Sequence, residues 1–231
     1  MTWLRMPERE EWDPSTKPPA YLPMYEELLE PLRHVGPFAM LELGVWTGES
    51  LQMWRDAFTE ATVVGVDLNH VDIDLGPRVH FEQGDQSDPV FLETIRDRHA
   101  PTGFELVIDD ASHQGELSAR SLRHVFSHHL RPGGLYVIED WGTGYTPTWP
   151  DGATFTGTLD VATLDEAEPG RDDNRRMPSH DSGMVGMVKR LIDHTARATI
   201  NSLTPDRVGQ ALAIETMTVR DGLVVLRKAG G

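Results

Sequence analysis

Cysteine is absent from the 231-residue chain, which excludes a disulfide framework and every thiolate metal site. Long apolar runs are missing as well, since no window approaches the ~18 uncharged apolar residues that span a bilayer. The opening MTWLRMPEREEWDPSTKPPAY lacks the basic stretch followed by an apolar stretch of a secretory leader. A soluble, cytoplasmic protein without membrane contact is therefore expected. Basic residues are in short supply, with 21 Lys and Arg against 37 Asp and Glu and a formal net charge of -16. Such a chain repels a phosphate backbone unless Lys and Arg cluster, and they do not, so no nucleic-acid partner is expected.

What is present is an alternation. Residues 1–20 carry four prolines and mixed charge without a period, and read as an N-terminal arm. Residues 21–231 read as one domain. In YLPMYEELLEPLRHV, Tyr21, Tyr25, Leu28, Leu29 and Leu32 share a helical stripe, with Pro31 a break or kink. Apolar runs then alternate with amphipathic segments, as βα units around a parallel sheet require. The strands are expected at 39–44, 62–67, 78–83, 105–110 and 135–140. The Arg131-Pro-Gly-Gly134 segment reads as a turn that stops one helix and launches the next strand. A Gly-, Thr-, Pro- and Asp-rich stretch follows, a lid-like insertion at about 141–183. MVGMVKRLIDH reads as a helix, and the last strands as a β-hairpin around Asp221-Gly222.

In LELGVWTGES a strand ends in Glu42 and Gly44, Gly48 precedes a helix, and Asp67 ends the next strand. Glycines let backbone amides approach a ligand at a helix N-terminus, and an acid at the second strand's tip can bind ribose hydroxyls. G-x-G-x-x-G is absent, and Glu42 disfavours a pyrophosphate, which argues against a nicotinamide-dependent oxidoreductase. A carboxylate beside the turn suits a ligand bearing an ammonium group, such as S-adenosylmethionine.

Parallel strands finish on one edge of a sheet, so VIDDASH and VIED deliver Asp109, Asp110, His113, Glu139 and Asp140 to one crevice. Clustered carboxylates repel one another unless a cation offsets them, and Mg²⁺ fits a few carboxylates with waters. Singly, each residue also has an ordinary reading. Asp85 or Ser87 can cap one helix and Asp109 or Asp110 the next, Glu139 or Asp140 can pair with a surface arginine, and His113 can bond a carbonyl. The other histidines are expected on surfaces and helix faces.

LELGVWTGESLQMW, VVGVDLN, GDQSD, FELVIDDASH and LRPGGLYVIEDWGTGY together resemble the class I S-adenosylmethionine-dependent methyltransferases. More narrowly they resemble the metal-dependent sugar O-methyltransferases of macrolide pathways, whose relatives include proteins called cephalosporin hydroxylases. The resemblance implies a Rossmann-like α/β fold, a mostly parallel seven-stranded sheet with a C-terminal antiparallel hairpin and helices on both faces. It implies S-adenosylmethionine and Mg²⁺ as cofactors, a glycosylated natural product as acceptor, and assembly into homo-oligomers. Glu42, Gly44 and Gly48 would line the methionine part, Asp67 the ribose, and Asp85 and Gln86 the adenine. Asp109 would face the cofactor or stand behind the metal site. Asp110, Glu139 and Asp140 match the metal ligands and His113 the general base. Read from the residues alone, Trp141 and Tyr145 follow the E-D pair and either wall the acceptor or pack over the sheet edge. The arm departs from the family, having Pro-Pro-Ala before Tyr21 where relatives often carry a histidine. Two other uses of the same edge are a catechol-like or other diol acceptor, and cofactor or partner binding without catalysis.

Overall fold

The structure is a computed structural model that describes residues 3–7, 17–153, 182–204 and 209–230. Its seven strands are β1 (Ala39–Leu43), β2 (Thr62–Asp67), β3 (Val79–Gln83), β4 (Phe104–Asp109), β5 (Leu130–Glu139), β6 (Ile214–Val219) and β7 (Leu223–Lys228). The helices are α1 (Tyr21–Leu29), α2 (Glu49–Ala57), α3 (Pro89–His99), α4 (Gly115–His128), α5 (Gly183–Thr195) and α6 (Arg197–Leu203). The strands lie in the order β3-β2-β1-β4-β5-β7-β6. The first five are parallel, and β7 enters antiparallel against β5, paired with β6 through the expected hairpin.

The central strands are nearly continuous apolar runs because both of their faces are covered. On one face Leu41, Val64, Val107, Tyr136 and Ile138 pack under α3, α4 and α5 through residues such as Phe126 and Met184. On the other, Met40, Val63, Leu106, Ile108 and Val137 meet Tyr25 and Leu29 of α1 and Leu51 and Trp54 of α2. The alternation of these lists along β4 and β5 is the period of two that a strand imposes. Helix α3 starts where Asp88 accepts hydrogen bonds from the Val90 and Phe91 amides, with Pro89 in its first position. Helix α1 gives way at Pro31 to a 3-10 turn over Glu30–His34. Among the described residues no helix is long and apolar enough to cross a membrane.

Three expectations change. The described part of the N-terminal arm packs: Leu4 is buried, its amide and that of Trp3 donate to Glu26 Oε1, and Trp3 meets Phe58 edge-on. The Arg131-Pro-Gly-Gly134 segment lies inside β5 and does not precede it; the pairing with β4 slips there, from Phe104 opposite Leu130 to Leu106 opposite Leu135. Glycine's tolerance of positive φ, here +79° at Gly133, lets the strand absorb the extra residues as a bulge. Of the insertion expected at 141–183, residues 141–153 form 3-10 turns at Trp141–Tyr145 and Pro150–Gly152, and 154–181 lie outside the described residues.

Candidate functional site

Strand order reverses between β1 and β4, and a crevice opens beyond the carboxyl ends of the strands at that point, where open α/β sheets place their ligands. It holds a cavity of about 790 Å³. Gly44 lets it form: at φ +84° its missing Cβ would stand 2.3 Å from the Asp110 carbonyl oxygen, so any side chain would force the β1 and β4 ends apart. Trp46, His113 and Asp140, the three non-glycine residues with positive φ among those described, all line this cavity. Each such conformation costs roughly 1–2 kcal/mol, which the surrounding packing must supply.

Gly44, Asp67, Asp85, Gln86, Asp110, His113, Glu139 and Asp140 stand on the cavity wall. Asp67 already works for the fold: Oδ2 accepts from the Val45 and Trp46 amides, each at 3.1 Å, and Oδ1 from Asn69 at 2.8 Å. A carboxylate has about four acceptor sites, so one remains for a ribose hydroxyl. Asp85 accepts from the Ser87 amide, while the helix cap falls to Asp88. Gln86 turns inward. Its amide donates to Asp109 and Ser121 and accepts from the Ser112 amide, tying the turn after β3 to the end of β4.

Five expected residues are not on the wall. Asp109 is 2% exposed and points into the α4 side of the sheet, where Tyr136 OH and Gln86 Nε2 donate to it. Alternation along β4 puts it on the face of Val107, away from the crevice. Gly48 caps α2, and a Cβ there would meet Ile73. Trp141 donates from Nε1 to the Arg220 carbonyl and packs edge-on to Tyr145, so both belong to the scaffold beyond β5. The aromatic walls are Trp46 and Trp149, and Trp149 meets the His113 ring edge-on at 5.2 Å. Neither tryptophan sits in a periodic segment, so no pattern marks it.

Glu42 is buried behind the wall and does face an ammonium, but the chain's own. Lys17, 4% exposed, places Nζ 2.9 Å from Glu42 Oε1, 3.0 Å from Asp110 Oδ2 and 2.5 Å from Glu139 Oε1. Ser50 OH donates to the other oxygen of Glu42 at 2.8 Å. From α1, Tyr25 OH donates to Glu139 Oε1 at 2.5 Å and Tyr21 OH to Asp140 Oδ1. A lysine in a proline-rich, aperiodic arm gives no sequence signal for this position. Its partners lie in β1, in β5 and just beyond β4.

The carboxylates form two groups that share Asp110. Glu42, Asp110 and Glu139 surround the inner position that Lys17 takes, and Asp110, His113 and Asp140 surround an outer one. The His113 Nε2 atom lies 3.8 Å from both Asp110 Oδ1 and Asp140 Oδ2. Asp110, Glu139 and Asp140 therefore do not share one position, because Glu139 Oε1 is engaged by Lys17 and Tyr25. The carboxylate oxygens of Asp110 and Asp140, with Glu139 behind them, suit a hard divalent ion such as Mg²⁺, with His113 beside that position and not a ligand in it, so the residues present fit it.

Burial, then the charge of neighbouring carboxylates, pushes the Asp110 and Glu139 carboxyls up towards neutrality, against the pull of Lys17. In the unfolded chain these groups titrate near about 4. With folded values raised, their contribution to stability is full below that range and is lost as pH climbs through the folded values. The melting temperature of the wild type is thus expected to fall, relative to that of Asp110→Asn, between about pH 4 and about pH 8. Parallel curves for the two proteins would show that the carboxylates do not oppose one another.

No protein-family model matches the chain. It is 38% identical over 165 residues to mycinamicin VI 2''-O-methyltransferase from Micromonospora griseorubida, covering 67% of this chain and 34% of that protein. It is 34% identical over 197 residues to 8-demethyl-8-alpha-L-rhamnosyl tetracenomycin-C 2'-O-methyltransferase from Streptomyces olivaceus, covering 82% and 44%. The chain thus spans less than half the length of these relatives. Among solved structures, MycE methyltransferase from the mycinamycin biosynthetic pathway, in complex with Mg and SAH, matches with a TM-score of 0.66 at 28% identity, over 90% of this chain and 48% of that one. Taken with the strand order and the crevice, these likenesses make the chain a class I methyltransferase fold that resembles the sugar O-methyltransferases of macrolide and tetracenomycin biosynthesis.

Proposed function

We propose that the chain transfers the methyl group of S-adenosylmethionine to a hydroxyl on the sugar of a natural product, with Mg²⁺ at the crevice. The observation that carries this reading is His113, held in a strained conformation between Asp110 and Asp140 on a crevice that suits both cofactors. MycE methyltransferase, a structural relative, has been solved with Mg, SAH and mycinamycin VI, and the chain matches it with a TM-score of 0.63 at 29% identity.

S-adenosylmethionine supplies an electrophilic methyl sulfonium, and Mg²⁺ when bound supplies positive charge that lowers the acceptor hydroxyl's pKa. His113 Nε2 takes the proton from that hydroxyl, and the flanking carboxylates of Asp110 and Asp140 stabilise the imidazolium that results. Trp149 fixes the ring's orientation from its edge. Asp110 and Asp140 would hold the metal, with Glu139 joining them once the Lys17 ammonium moves off its Oε1 atom. Asp67 offers its remaining acceptor site to the ribose, Asp85 faces the adenine, and the Gly44 turn brings its backbone close to the methionine part.

Calorimetric titration with S-adenosylhomocysteine, with and without Mg²⁺, tests the reading. Binding in wild type, followed by methyl transfer to glycosylated acceptors that EDTA abolishes, is the expected result. Absence of cofactor binding would overturn the methyltransferase, and transfer to catechols but to no sugar would replace the acceptor.

A further inference from the structure

Helix α4 begins at the crevice and runs back along the sheet, so its last turn sits at the opposite edge, beside α3. Three histidines crowd there. His124 and His128 stand four apart, one helical turn, and His129 follows as the C-cap. The His124 ring lies 4.6 Å from that of His129, edge to face, and 5.3 Å from that of His128. From α3, Glu93 turns Oε1 towards the pair, at 3.8 Å from His124 Nε2 and 3.6 Å from His129 Nε2. Arg96 Nη2 donates to the other Glu93 oxygen at 2.7 Å and fixes the carboxylate.

Bonding in this cluster is incomplete. His129 is 1% exposed, and neither of its ring nitrogens has a hydrogen-bond partner among the described residues; His124 Nε2 is also buried without one. A buried imidazole normally finds a partner, because leaving a polar nitrogen unpaired costs about 1–3 kcal/mol. Here two rings aim unpaired nitrogens at one carboxylate oxygen from beyond hydrogen-bond range. Ligand atoms around a tetrahedral ion with bonds of about 2.0–2.1 Å stand roughly 3.3–3.5 Å apart, so shifts within a few tenths of an ångström close the two measured gaps.

We propose that Glu93, His124 and His129 form a second metal site, for a borderline divalent ion such as Zn²⁺, which ties α3 to the end of α4. Nitrogen donors with one carboxylate select Zn²⁺ or Co²⁺ over the Mg²⁺ suited to the oxygen-rich crevice. Burial holds the His129 imidazole down at about 4 and lowers that of His124, leaving lone pairs free at neutral pH. Glu93 is half exposed, so the fourth position opens to water. The site lies away from the crevice and does not rest on the proposed methyl transfer.

Titrating the whole chain with Zn²⁺ in excess Mg²⁺, by calorimetry and with Co²⁺ as a visible-absorption probe, tests it. One ion per chain is expected, with the intense visible bands of four-coordinate Co²⁺. Glu93→Gln and His124→Gln, both at partly exposed positions, should weaken binding by at least about ten-fold with circular dichroism unchanged. Asp110→Asn should bind as wild type does. A wild type that takes up no Zn²⁺, or binding that Asp110→Asn abolishes and His124→Gln leaves intact, would overturn the site.

Discussion

Lys17→Met should lower the stability of the fold by about 3–5 kcal/mol when no divalent ion is present, the range for removing one partner of a buried charge cluster. The ammonium sits within 3.0 Å of three carboxylates, two of them almost wholly buried. Methionine fills a similar volume, so packing against Trp54, which lies 5.8 Å below Nζ, is largely kept and the loss is electrostatic. Glu42, Asp110 and Glu139 then face one another without a cation, in a group whose charge a bound metal would offset. The variant should therefore gain far more from added Mg²⁺ than wild type does. Urea denaturation of both proteins with and without Mg²⁺ measures the difference. A midpoint that matches wild type under both conditions would mean that Lys17 contributes nothing to the balance of charge.

His113→Asn should lower kcat for methyl transfer by about 10²–10⁴, the usual contribution of a general base. Asparagine tolerates positive φ better than most residues, so the turn that presents position 113 is preserved and the effect isolates the imidazole. The ring makes no hydrogen bond to the wall around Asp67 and Asp85, so affinity for S-adenosylhomocysteine should stay within about two-fold. A variant as fast as wild type on an accepted acceptor would assign proton removal to another group.

The parts legible from sequence are those governed by short-range rules. Five apolar runs of strand length mark the parallel strands, Asp221-Gly222 marks the hairpin, and the paired acids after two runs mark the crevice edge. Parity along β4 was available too: Val107 and Asp109 differ by two positions and share a face, so Asp109 belongs with the core and Asp110, just past the strand, with the site. What could not be read depends on contacts between distant segments. Lys17 meets partners 93 and 122 positions away, and Trp149 reaches His113 from an aperiodic loop. The Arg131-Pro-Gly-Gly134 segment misled because its composition is that of a turn, and only its pairing with β4 makes it a bulge.

The sheet order also bears on how the protein is made. Strand β5 must wait for β7, because the helix α5 and α6 region is synthesised between them. Until β7 emerges, the run Leu135–Ile138 offers a flat apolar edge that can recruit another nascent chain. Pro132, in the bulge, interrupts that edge at its start, since proline cannot donate to an added strand. Pro132→Val restores the missing donor to that edge, a change whose cost should appear as inclusion bodies during expression more than as a lower melting temperature.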